Sequence, residues 1–238
     1  MNKTKEKDKD KSKNQARRFV IGDVHGCALT LEALLFKKCK IKKEDNIYFL
    51  GDYIDRGKRI KKTLDLLLDL SEQYFNCYFL IGNHEEALLN ALDNYQYFIN
   101  WKKIGGADTL KSFKVNFPSE IPEKYISFIR NLKYYFILDS FVLTHGGLNT
   151  TIDDPFTDLY SMLWTRAEKI NTKKIGGRKL IVGHTPKSLQ LIKDSLKKDV
   201  INLDGGCVYK DYNPLYGNLV ALELNSKELF VQKNIDNK

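Results

Sequence analysis

The sequence contains no apolar run of about 18 residues, the length that a membrane-crossing helix requires. The first 18 residues are almost all polar, and no apolar segment of the kind that marks a secretory signal follows them. Both absences lead to the expectation of a cytoplasmic protein without a membrane partner. Cysteine is sparse: Cys27, Cys39, Cys77 and Cys207 are the four, no two are spaced C-x-x-C, and their spacing fits no zinc module. They are expected to be reduced thiols. Aromatic residues are missing from the lysine-rich start of the chain. Residues 1–18 carry eight Lys or Arg and three Asp or Glu, which is five of the nine net positive charges of the whole sequence. A stretch so charged cannot bury enough apolar surface to fold. Residues 1–17 are therefore expected to be a disordered, solvated leader. Without rings between its lysines a base-stacking role has no support, and nucleic acid is not an expected partner. No domain linker and no internal repeat interrupts the remainder.

What is present is a recurring unit. The 238 residues, 42% of them hydrophobic, suffice for one sizeable domain, expected over 18–238. Short apolar runs over 18–21, 47–50 and 77–81 each end in a glycine, and each is followed by apolar residues at helical spacing. Leu31, Leu34 and Leu35 mark a helix over about 27–38. Ile60, Leu64, Leu67 and Leu68 mark a second, and Ala87, Leu88, Ala91 and Leu92 a third. Three strand–loop–helix units in succession require a largely parallel sheet with right-handed crossovers. Residues 95–133 are less regular. Tyr95, Tyr97, Phe98 and Trp101 are read there as packing of an inserted helical segment rather than as a substrate groove. Strands resume over 135–138 and 141–144 as a hairpin, then over 180–182 and 200–203, and a hairpin over 219–224 and 229–232 closes the domain. The expected fold class is α/β, with two sheets inside and helices outside.

A glycine directly after a buried strand lets the chain turn where a side chain would clash. Strand carboxyl ends are also where open α/β sheets carry their chemistry. At one such end, Gly51-Asp52-Tyr53-Ile54-Asp55-Arg56-Gly57 holds two carboxylates and a guanidinium within five residues. Collected over all the strand ends, Asp23, His25, Asp52, Asn83, His145 and His184 are two carboxylates, an amide and three imidazoles. Oxygen and nitrogen donors without thiolate suit manganese, iron or zinc. They are too many for one ion that must keep positions open for substrate, and suit two ions that share a carboxylate. Each element alone is weak. A Gly-Asp pair is common in turns, where Asp bonds its own backbone, and a lone histidine is more often a packed or surface group than a ligand. Yet all four histidines, His25, His84, His145 and His184, lie at glycine-flanked strand ends. Ordinary turns do not explain that.

Three segments, Gly22-Asp23-Val24-His25-Gly26, Gly51-Asp52-Tyr53-Ile54-Asp55-Arg56-Gly57 and Gly82-Asn83-His84-Glu85, resemble the signature motifs of the phosphoprotein (Ser/Thr) phosphatases among the calcineurin-like metallophosphoesterases. His145-Gly146-Gly147 and Gly183-His184-Thr185 resemble the two later histidine motifs of that family. The resemblance implies a sandwich of two mixed sheets flanked by helices, with a metal site at the strand carboxyl ends. It implies two divalent cations, manganese first and iron or zinc as alternatives. Asp23, His25 and Asp52 would bind one, and Asp52, Asn83, His145 and His184 the other. His84 would be the proton donor, oriented by Asp55, and Arg56 would bind phosphate beside Asn83. Arg166, in Leu163-Trp164-Thr165-Arg166, is a second candidate for phosphate, because bacterial relatives carry Trp-x-Arg at this place; the plain alternative is a surface ion pair. Arg178 is expected to be solvated. Asp204, before Gly205-Gly206, is expected to form a turn rather than to support a metal-bound histidine. Ile81 stands where eukaryotic members carry an arginine, and their C-terminal tyrosine-containing loop has no match here. The branch resembled is thus the bacterial and phage type, close to the symmetrical diadenosine tetraphosphatases.

The implied function is hydrolysis of phosphomonoesters, as by a serine/threonine protein phosphatase, through in-line attack of a metal-bridging hydroxide. The substrate partner would be a phosphoprotein or a small phosphoester. The alternative is a symmetrical bis(5'-nucleosyl)-tetraphosphatase. A binding protein on a retired scaffold is disfavoured by the complete ligand set.

Overall fold

The computed structural model describes residues 16–73 and 76–236. Residues 1–15 of the expected leader lie outside the described residues. Arg17, the last residue of that leader, stands within the fold. Its guanidinium donates to Asp45 at 3.0 and 2.6 Å and to the carbonyls of Cys39 and Lys40. The helices and strands otherwise follow the expected alternation. β1 (Arg18–Ile21) leads to α1 (Ala28–Glu32), β2 (Asn46–Phe49) to α2 (Ile60–Glu72), and β3 (Asn76–Phe79) to α3 (Asn83–Asp93). α1 is shorter than expected. It passes at Ala33 into a wider π-helical stretch that ends at Cys39. Leu31, Leu34 and Leu35 are fully buried, and their spacing fits either winding, so the apolar pattern cannot distinguish the two.

The inserted segment forms α4 (Tyr95–Trp101), α5 (Ala107–Phe113) and α6 (Glu123–Arg130). Phe98 and Trp101 are buried as packing residues, whereas Tyr95 and Tyr97 are exposed. The chain then forms β4 (Tyr135–Ile137), β5 (Phe141–Thr144), α7 (Leu159–Trp164), β6 (Lys179–Val182), α8 (Leu189–Ser195), β7 (Val200–Asn202), β8 (Asn218–Glu223) and β9 (Leu229–Lys233). Arg178 is half-buried rather than free in solvent. Nε donates to Leu138 O at 2.9 Å and Nη1 to Ile175 O at 3.1 Å, tying the β4–β5 turn to the segment before β6. The four cysteines are free thiols. Among the described residues no helix is long and apolar enough to cross a membrane.

Two sheets result, in the orders β3-β2-β1-β8-β9 and β4-β5-β6-β7. β1, β2 and β3 run parallel, as do β5, β6 and β7; β8, β9 and β4 are antiparallel to their neighbours. Side chains alternate across each strand. Val20, Tyr48 and Leu50 of the first sheet meet Leu143, Ile181 and Ile201 of the second in one cluster. Phe19, Ile21, Ile47 and Phe49 point the other way, into the helices. Val142, Leu180 and Val200 cover the outer face of the second sheet against Met162 and Ile175. Strands buried on both faces read as unbroken apolar runs, which is why they are visible in the sequence. The stacking also sets the carboxyl ends of the six parallel strands at one end of the sandwich.

Candidate active site

The turns after β1, β2, β3, β5 and β6 converge there. Asp23 and His25 follow β1, Asp52 follows β2, Asn83 and His84 open α3, and His145 and His184 follow β5 and β6. Contacts between the sheets lock the arrangement: His184 N donates to Asp23 Oδ2 at 2.9 Å, and His145 Nδ1 lies 2.8 Å from Leu50 O. Two glycines permit the approach. A Cβ on Gly82 would sit 2.1 Å from Asp52 Oδ1, and one on Gly183 would sit 2.0 Å from Asp23 Oδ1. The backbone is strained where it carries chemistry. His25, Asp52, Asp55, Arg56 and His184 have φ of 42, 54, 68, 66 and 66°, a left-handed conformation that costs a non-glycine residue about 1–2 kcal/mol.

The donor atoms fall into two groups joined at Asp52. His25 Nε2 lies 3.3 Å from Asp52 Oδ2, and His145 Nε2 lies 3.5 Å from Asp52 Oδ1. Asn83 Oδ1 is 3.0 Å from His145 Nε2 and 3.1 Å from His184 Nδ1. Ligand atoms of His25, Asp52 and His84 lie within 4.8 Å of one another, as do those of Asp52, His145 and His184. In His25 and His145 the Nδ1 atom faces a backbone carbonyl, Ile54 O and Leu50 O. Nδ1 must therefore carry the proton, and the Nε2 lone pair faces the centre. Burial is the main force that lowers the pKa of all three outer imidazoles, to about 4 for His25 and His184 and downward for His145. Neutral imidazoles are what a cation binds.

The residues fit two divalent cations. Asp23 Oδ1 is buried without a hydrogen-bond partner. Burial, then the charges of Asp204 and Asp52, push the Asp23 carboxyl well above the ordinary range. Burial pushes Asp52 the same way, but the surrounding imidazoles of His145, His84 and His25 outweigh it and hold Asp52 well below that range. A cation between these carboxylates would relieve both the repulsion and the orphaned oxygen.

His84 differs from the other histidines. Its Nδ1 lies 2.6 Å from Asp55 Oδ2, inside the fold. Burial works against its charge, yet Asp52 and then the Asp55 hydrogen bond raise its pKa. Asp55 is itself gripped by Trp101 Nε1 at 2.9 Å and Thr109 Oγ1 at 2.5 Å. The sequence pointed to Trp101 only as packing and to Thr109 not at all. Glu85 was also without an assigned part. It is fully buried and accepts from the backbone N–H groups of Tyr53, Ile54, Asp52 and Gly82. Burial, then Asp52, push its pKa up to about 7. Its place in Gly82-Asn83-His84-Glu85 was the only signal.

Arg56 Nη1 lies 2.7 Å from His25 Nε2, and its guanidinium covers the Tyr209 ring at 5.4 Å. Arg166 is exposed at the edge of the site, near enough to His184 to help depress its pKa. Trp164 sets its ring edge-on to His184 and donates to Glu86 at 2.9 Å. Asp204 forms its turn as expected, accepting from Gly206 N at 2.8 Å. Ile81 is buried and gives the site no side chain.

The calcineurin-like phosphoesterase family model matches residues 16–224. Among solved structures, a candidate diadenosine tetraphosphatase superposes with a TM-score of 0.62 at 18% identity, over 93% of this chain and 95% of that one. A serine/threonine phosphatase from Saccharomyces cerevisiae, described as similar to human phosphatase PP5, gives 0.65 at 16% identity over 94% and 81%. A cold-active protein-tyrosine phosphatase of a psychrophilic Shewanella gives 0.59 at 16% identity over 92% and 81%. Identities this low establish the shared fold alone. With a family match over most of its length and a buried Asp/His cluster able to hold metal ions, the chain belongs to the calcineurin-like phosphoesterases, a family of metal-dependent hydrolases.

Proposed function

We propose that the protein is a phosphomonoesterase that uses two divalent cations, manganese by preference, and acts on phosphoserine and phosphothreonine in proteins. The observation that carries this reading is Asp52, whose two oxygens face His25 on one side and His145 on the other. Asp23, His25 and Asp52 would hold one cation, and Asp52, Asn83, His145 and His184 the second. The cations supply Lewis acidity toward phosphoryl oxygens and lower the pKa of water at the centre. The chain's own residues do the rest. Arg56 offers a planar fork that matches two phosphate oxygens, and Arg166 adds a second cationic group at the rim. His84 has its Nδ1 committed to Asp55, which leaves Nε2 to give a proton to the departing alkoxide.

Protein loaded with Mn²⁺ should hydrolyse p-nitrophenyl phosphate and lose that activity in EDTA. Failure of added manganese to restore turnover would overturn the proposal. A second reading is symmetrical cleavage of a dinucleoside tetraphosphate. It is favoured by the nearly end-to-end match to the candidate diadenosine tetraphosphatase. Rates on phosphoserine and phosphotyrosine peptides and on diadenosine tetraphosphate separate the readings.

A further inference from the structure

A groove adjoins the site. Arg166, Gly146, next after His145, and Thr185, next after His184, are among its lining residues, and it covers the outer face of the second sheet at Val182 and Val200 with a volume of about 940 Å³. Small-molecule pockets span about 300–1,000 Å³, so the space exceeds what a phosphoserine side chain alone would fill. The rim is cationic: Arg166, Lys169, Lys187, Lys197 and Lys198 line it against only Glu168 and Asp199. Lys187 lies 3.7 Å from the exposed Glu168. Among the described residues no ion pair holds Lys169, Lys197 or Lys198, and all three are exposed. The floor is aliphatic, from Ala167, Ile170 and Leu191 as well as the two valines, and no lining residue is aromatic.

We propose that this groove holds the acidic segment that flanks the phosphorylated residue of a protein substrate, so that neighbouring Asp and Glu set the enzyme's preference. The proposal rests on the phosphomonoesterase reading above. With the phosphate at the metal centre, the peptide leaves past Gly146 and Thr185 and meets the row of unpaired lysines. Opposite charges steer and register such a segment. An aliphatic floor suits alternate side chains of an extended peptide. The groove offers no ring for a nucleobase to stack on, and its one guanidinium, Arg166, is assigned to phosphate in the reading above.

The test compares three substrates on the Mn²⁺-loaded protein: one phosphoserine peptide with acidic flanks, the same peptide with neutral flanks, and diadenosine tetraphosphate. The triple variant Lys169→Glu, Lys197→Glu, Lys198→Glu is run beside the wild type, with circular dichroism to confirm folding. Three exposed ion pairs of ordinary strength multiply to about tenfold. The acidic peptide should therefore exceed the neutral one by about that factor in kcat/KM, chiefly through KM. The ratio should fall below one in the triple variant, whose glutamates repel the acidic flank, and in the wild type it should shrink towards one as salt is raised. Equal kcat/KM for the two peptides, or a preference that survives charge reversal, would overturn the proposal. So would turnover of diadenosine tetraphosphate with neglect of both peptides. Absence of any hydrolysis, p-nitrophenyl phosphate included, would remove the parent reading and this one with it.

Discussion

Replacing Asp55 by asparagine separates chemistry from architecture. Asp55 is fully buried and accepts from His84 Nδ1, Trp101 Nε1 and Thr109 Oγ1. In Asp55→Asn the amide oxygen can face the His84 and Trp101 donors, both of which lie on Oδ2, while the Thr109 hydroxyl turns to accept from the new NH₂. All three side-chain contacts can be kept, and what is lost is the charge and the acceptor of the Thr109 hydroxyl proton. The cost to folding is then the difference between charged and neutral hydrogen bonds, about 1–2 kcal/mol. The cost to catalysis is larger for one class of substrate. Burial acts to lower the His84 pKa, and Asp55 is among the groups that oppose it. A general acid is worth about 10²–10⁴ in rate, or about 3–5 kcal/mol of barrier. An alkyl phosphate needs that proton, and p-nitrophenolate does not. Steady-state kcat on a phosphoserine peptide should fall by about 100-fold or more, and on p-nitrophenyl phosphate by less than about tenfold. Activity on the peptide requires the imidazolium, so it is lost as pH rises through the His84 pKa, and in Asp55→Asn this limb should move to lower pH. Equal losses on the two substrates, at unchanged metal content, would show that His84 holds structure and donates nothing.

Asp52→Asn should weaken both cations together, and elemental analysis finding two ions retained would contradict the shared carboxylate. Gly82→Ala puts a methyl carbon 2.1 Å from Asp52 Oδ1, and should lower metal content and activity in parallel while the circular dichroism spectrum persists. Glu85→Gln replaces one carboxylate oxygen with an NH₂ that faces two backbone N–H groups, and should cost about 2–4 kcal/mol by denaturant titration; a loss under about 0.5 kcal/mol would remove Glu85 as the brace of the Asp52 turn. Glu223 accepts from the backbone N–H groups of Arg18, Asn225 and Ser226, and although burial acts to raise its pKa, the Ser226, Asn225 and Arg18 bonds hold it below the ordinary value. The stabilisation is therefore present above the unfolded value of about 4.3 and lost as pH falls through the folded one. The stability gap between wild type and Glu223→Gln, about 1–2 kcal/mol at pH 7, should close in acid, and a gap constant with pH would refute the assignment.

What the sequence made legible has a common physical cause. Strands buried on both faces are short apolar words, and two of the glycines that end them, Gly82 and Gly183, are demanded by the close approach of Asp52 and Asp23. The positions of Asp23, Asp52, Asn83 and the histidines could therefore be read directly. The support of Asp55 could not. Trp101 and Thr109 lie 46 and 54 residues away from it in the chain, and no local period encodes such a pairing. Arg178 looked solvated because its partners are backbone carbonyls, which no residue name announces. Arg17 looked like part of a charged leader for the same reason, its fork closing on Asp45 and two carbonyls. The winding change at Ala33 leaves the apolar stripe intact and so has no signature.

β8 has a consequence for how the enzyme is made. It lies beside β1 in mid-sheet, with Ile21 opposite Ala221, and Gly22 N donates to Val220 O at 3.0 Å just before Asp23. Translation delivers the last donor, His184, well before it delivers β8. A nascent chain paused between them holds every candidate ligand yet lacks the rail on which the first two are mounted. The candidate site is then complete only once the closing hairpin has left the ribosome, and until it does the bare flank of β1 is open to wrong partners.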